Sequence, residues 1–160
     1  MLKSVRITLA AMATIALTLA AFSTAAIAEP SYRTKTVDGD FETVSFDLTN
    51  VIVNRGLKVD SEGFVSKMLD RTKDATGNGS PYVDGRYYTF CSAKLSQATM
   101  DANPDNLAAC PYVIFAYELK SSPGKTVIGY RRPLGAPGDA SQKALDKIEK
   151  LLKGIIDEVG

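Results

Sequence analysis

PYVIFAYELKSSPGKTVIGYRRP, residues 111–133, decides the fold of this chain. Its first part, 111–119, is a run of β-branched and aromatic residues, apolar on nearly every position, as a central strand is. TVIGYRRP, 126–133, has a second strand's composition. SSPGK lies between them and puts Pro123 and Gly124 at the two centres of a type II turn, where proline presets one φ and glycine supplies the positive one. A hairpin follows, and with it at least one antiparallel pair.

Outward from the hairpin, RYYTFCSA at 86–93 reads as another strand, and KLSQATMDA at 94–102 is compatible with a short helix. Downstream, Asp139 with Gln142 forms a capping-box start, and Leu145, Ile148, Leu152, Ile155, Ile156 and Val159 make one apolar stripe with the lysines largely off it. Such a helix must cover a sheet face. Upstream, SYRTKTVDG is extended, Asp40 caps a helix carrying Phe41, Val44, Leu48, Val51 and Ile52, and Gly56 ends that helix. LKV at 57–59 reads as a short strand, Phe64 to Thr72 as a second helix, and GNGSP at 77–81 as a loop. The expected class is α+β: a two-layer sandwich with amphipathic helices on one face of a mixed, largely antiparallel sheet.

The first 28 residues carry Lys3 and Arg6, then an uncharged run from Ile7 to Ala28 that closes on Ala26-Ile27-Ala28. This is the pattern of a cleaved export signal, small residues standing one and three positions before the cut. The expected mature chain, 29–160, is one domain, periplasmic or secreted, with no stable membrane insertion. Loss of the leader removes two basic residues and leaves 17 basic against 18 acidic. A chain so nearly neutral lacks the basic excess of a nucleic-acid binder.

Cys91 and Cys110 are the only cysteines, and there is no histidine and no tryptophan. Without histidine no serine–histidine or cysteine–histidine nucleophile exists, and a zinc site would need carboxylates or a second subunit. The 18 residues between the cysteines allow a helix out and an extended return through NPDNLAA, provided the flanking strands are antiparallel. Both sulfurs then lie at one sheet edge. Export favours a Cys91–Cys110 disulfide; the alternatives are a redox or ligand site, or a soft-metal site using Cys91, Cys110 and Met100. No cofactor is firmly implied.

Ser122 and Lys125 have the spacing of some acyl enzymes, but they fall in the hairpin turn rather than at a helix start. Asp101, Asp105 and Glu118 are acid–base candidates without visible pairing. Arg131 and Arg132 either bind an anion or blunt a sheet edge. Among the strand tyrosines Tyr87, Tyr88, Tyr112, Tyr117 and Tyr130, alternation sends some away from the helices, where they would form a dimer surface or a shallow apolar site.

GDFETVSFDLTNVIVNRGL, FCSAKLSQATMDANPDNLAACPYVIFAYEL and VIGYRRP together resemble the domain of unknown function 302 family, over most of the chain from Gly39 onward. The resemblance implies a small α+β domain with a glycine-terminated helix, a cysteine at a strand end and a second cysteine before a very apolar strand, here Gly56, Cys91 and Cys110. The expected function is a binding or accessory module for a small ligand, a soft metal or a redox signal through the Cys91/Cys110 edge, with Tyr112 and Arg131 as further site candidates. A homodimer is expected, with a small ligand or a periplasmic protein as partner. The alternatives are a thiol–disulfide enzyme and a purely structural domain stapled by the disulfide.

Overall fold

A computed structural model describes residues 29–160; the expected export signal, 1–28, lies outside the described residues. The elements are β1 (Tyr32–Asp38), α1 (Phe41–Asn54), β2 (Ser61–Phe64), α2 (Val65–Arg71), α3 (Lys73–Thr76), β3 (Tyr82–Phe90), α4 (Ala93–Ala102), a 3-10 helix (Pro104–Ala109), β4 (Tyr112–Leu119), β5 (Lys125–Arg131) and α5 (Asp139–Glu158). The strands form one sheet in the order β1-β5-β4-β3-β2. Every pairing among the described residues is antiparallel. β4 takes the central place its composition demands.

α1 and α5 pack on one face. Their buried positions, Phe41, Val44, Leu48 and Ile52 on α1 and Leu145, Ile148, Leu152, Ile155 and Ile156 on α5, recur every three or four residues. They close over Phe90, Ile114 and Ile128 of the sheet. Local signals start and stop α1: the Asp40 carboxylate accepts the Thr43 N–H at 3.0 Å, and Gly56 takes a φ of 74° just beyond the helix. No helix among the described residues is long and apolar enough to cross a membrane.

Buried polar groups tie these layers together. Glu118 is 5% exposed, and its carboxylate accepts the Phe41 N–H at 2.8 Å and the Gly124 N–H at 2.8 Å. One side chain thus joins the first turn of α1 to the hairpin turn, and its negative charge suits a helix N-terminus. Asn106, fully buried, donates to the Thr99 carbonyl and the Ser141 hydroxyl and accepts the Ala136 N–H. It fastens α4, the 3-10 helix and the segment leading into α5. Arg86 bonds Asp84, Glu42 and Glu62 and lies over the rings of Phe41 and Phe64.

Four local expectations change. LKV at 57–59 is not a strand; Leu57 and Val59 pack against the core from a linker, and the ladder with β3 is formed by Ser61–Phe64. Residues 65–76 form two short helices that meet at Thr72, whose hydroxyl bonds back to the carbonyls of Met68 and Leu69. NPDNLAA returns as a 3-10 helix instead of an extended chain, because the Asn103 side chain accepts the Asp105 N–H and Pro104 suits the first helical turn. The capping box does not form: Asp139 is already helical, Gly138 is the cap, and Gln142 bonds Asp146.

Candidate functional site

Phe90 pairs with Tyr112 across β3 and β4, which brings Cys91, just past one strand, beside Cys110, just before the other. α4 and the 3-10 helix form the intervening loop, and the Ser92 hydroxyl caps α4 by accepting the Leu95 N–H. The Cys110–Pro111 peptide is cis. Both cysteines are half-buried and carry free thiols in this structure. The antiparallel pairing supplies the proximity, while the hydrogen-bond partner of Cys110 is the Ser96 hydroxyl, 3.3 Å from its sulfur.

Ser96 is the hub of this edge. Its hydroxyl is also 2.9 Å from the Tyr112 hydroxyl, and Tyr112 is a core residue in edge contact with Phe90. Burial pushes the Cys91 thiol above the ordinary thiol range, and the neighbouring Cys110 sulfur adds to the shift; the Tyr112 N–H and the Ser96 hydroxyl only partly oppose them. Burial likewise raises Tyr112, against the bond from Ser96. Two thiolates alone suit a soft monovalent ion. Met100 stands one helical turn beyond Ser96 on α4. Among the described residues no three His, Cys, Asp or Glu side chains gather as a cation site.

Cys110 and Pro111 also border a groove of about 790 Å³ that runs along the sheet face α1 and α5 leave open and reaches, at its Cys110 end, Tyr112 and Leu152 of the covered side. Alternation divides the tyrosines as expected. Tyr88, Tyr112 and Tyr130 are buried beneath the helices, whereas Tyr87 and Tyr117 line the groove with Tyr32 and Phe115. Opposite each of the three groove aromatics of β3 and β4 stands a glycine: Phe115 faces Gly129, Tyr117 faces Gly85 and Tyr87 faces Gly63. A Cβ on Gly129 would stand 2.7 Å from the Phe115 ring and 2.4 Å from the Arg33 carbonyl, and one on Gly63 would meet the Tyr87 ring at 2.1 Å. The Phe115 and Tyr87 rings therefore lie down across glycine instead of standing away from the sheet.

The two arginines separate. Arg132 is held by Glu149 and Glu29, while Arg131 lines the groove and makes no ion pair among the described residues. Neither blunts an edge, because β1 pairs along the outer side of β5. The carboxylate candidates disperse as well. Glu118 is the buried cap described above, Asp101 accepts from Gln97 on the surface, and Asp105 sits in the first turn of the 3-10 helix. Sequence reasoning missed Ser96, Tyr32 and Phe115 as site residues; the glycines spaced among strand aromatics were the available signal.

A family model described as Domain of unknown function DUF302 matches residues 33–159. The crystal structure of an uncharacterized conserved DUF302 protein from Bacillus stearothermophilus is similar at a TM-score of 0.68 and 19% identity, covering 81% of this chain and 98% of that one. At that identity the likeness speaks for the fold alone. No curated protein matches the chain.

Proposed function

The chain belongs to the DUF302 family, and within it we propose an exported accessory module whose Cys91 and Cys110 form a reversible dithiol–disulfide pair. The observation that carries this reading is the pairing of Phe90 with Tyr112, which sets two free thiols side by side. In the oxidising step the pair gives up two electrons and two protons to a small-molecule or protein disulfide. One sulfur–sulfur bond forms in the module, and the oxidant leaves as two thiols. The export pattern of residues 1–28 supports a compartment in which such oxidants occur.

The raised Cys91 thiol separates this role from that of a thiol enzyme. Catalytic cysteines are thiolates near neutral pH, whereas burial favours the protonated form of Cys91. Oxidation would be felt through Ser96, which touches both Cys110 and the core residue Tyr112. Closing this loop stabilises the fold by about 3 kcal/mol in the chain-entropy treatment.

Intact mass of protein from the exported fraction, trapped with an alkylating agent across a glutathione redox series, tests the proposal. A reversible two-proton loss at a defined potential, abolished in Cys91→Ser, is the expected result. Thiols that never oxidise, a disulfide that no glutathione ratio reduces, or a metal retained in native buffer would each overturn it.

A further inference from the structure

We propose that the open face of the sheet is a binding site for a flat, apolar carboxylate, its ring system lying on the aromatic floor and its carboxylate paired with Arg131. The site meets the thiol edge at Cys110 and Pro111, which border the groove, but it does not depend on the thiol chemistry.

The floor is built for a planar guest. In an ordinary strand, aromatic side chains stand off the sheet. Here the glycines opposite Phe115 and Tyr87 let those rings recline, because a Cβ at Gly129 or Gly63 would occupy the space the rings use. The ring planes of Phe115 and Tyr117 are within 10° of parallel, with centroids 6.4 Å apart. Tyr32 closes one side, edge-on to Phe115, and Tyr82 leans on Tyr117 from the other. Interior glycine weakens a strand, so three of them opposite aromatics on one face mark a surface shaped for close approach. The groove's size, about 790 Å³, lies within the ~300–1,000 Å³ range of small-molecule sites.

Charge fixes the other half of the ligand. Arg131 lies two residues along β5 from Gly129, the partner of Phe115, and so projects on the same face about 7 Å from that row. Its strand partner is Tyr32. Arg132, one residue on, is saturated by two glutamates, whereas the Arg131 guanidinium keeps its donors for a ligand. A guanidinium offers a planar fork that fits a carboxylate. Among the described residues no acidic side chain lines this groove to compete for it.

Fluorescence anisotropy with 1-pyrenecarboxylate, and with 1-pyrenemethanol as its uncharged counterpart, tests the site in the mature chain held reduced throughout. The carboxylate should bind saturably and about tenfold more tightly than the alcohol, the worth of one charge-assisted pair. Arg131→Gln should erase that difference and leave alcohol binding unchanged. Phe115→Leu should weaken both probes, with a far-UV spectrum and melting curve confirming that the variant is folded. Equal binding of the two probes, an Arg131→Gln variant that still discriminates, or no binding at all would overturn the proposal. So would sedimentation velocity that finds a dimer which Phe115→Leu dissociates, since the face would then be closed between two copies of the chain. Because the thiols are reduced in every arm, none of these failures bears on the dithiol pair.

Discussion

Tyr87 and Tyr88 are neighbours in the chain and belong to different surfaces. Tyr88 is 2% exposed beneath the helices, its hydroxyl bonded to Ser45 of α1; Tyr87 is 40% exposed on the open face, its ring over Gly63. Under α1 and α5 the sheet aromatics Tyr88, Phe90, Tyr112 and Tyr130 are enclosed, and every buried side-chain polar atom among the described residues has a partner. On the other side similar residues lie against glycine and water. The helix-covered face holds the stability of the domain, and the open face is the one we propose for a ligand.

The sharpest way to break this division is to truncate one side chain on each face. Leu152→Ala, fully buried on α5, should lower stability by about 3 kcal/mol through lost burial and the cavity left behind. Tyr87→Ala should cost less, about 1–2 kcal/mol, since 40% of the residue is already exposed and its removal leaves no enclosed cavity. Urea unfolding of both variants reads the contrast, and equal losses would mean that the open face is covered in solution.

A smaller effect should follow from removing hydroxyls alone. Tyr88→Phe leaves Ser45 in the core without its partner and should cost about 1 kcal/mol. Tyr87→Phe should be neutral within measurement. Thermal melts of the two conservative variants would refine the assignment, and a costly Tyr87→Phe would reveal a bond on the open face.

The smallest expected effect is one of pH. Burial holds the Cys91 thiol above its ordinary range in the folded chain, so the unfolded chain releases that proton first as pH rises. The stability associated with Cys91 is therefore intact below the ordinary thiol pKa, about 8.5, and declines as pH climbs through the raised value. Under reducing conditions the wild type should lose more stability between about pH 7.5 and pH 9.5 than Cys91→Ser does. Parallel losses would show that Cys91 titrates normally.

Legibility in the sequence followed how local each signal is. α1 and α5 were readable because a helix repeats its buried face every three or four residues, and the β4–β5 hairpin because Pro123 and Gly124 carry the turn in their own backbone preferences. β2 was not readable, because Ser-Glu-Gly-Phe at an edge is held by main-chain bonds to β3 and has no side-chain pattern. The return from α4 was misread because the Asn103 and Asn106 bonds that favour a 3-10 helix depend partly on Thr99, Ser141 and Ala136. Cys91 and Cys110 stood out by rarity, but the choice between one sheet edge and two rested on strand direction.

By itself, then, the sequence determined the α+β class, the helical faces, the hairpin and the near-neutral charge of 29–160, all properties of composition and short-range periodicity. The tertiary structure alone decided the strand order, the role of Glu118 as a cap across two elements, and the meeting of Ser96 with Cys110. It alone set Phe115, Tyr117 and Tyr87 across from glycines. These depend on which strands lie side by side, and register between strands is fixed by burial of the whole face, a sum over distant residues that no short stretch encodes.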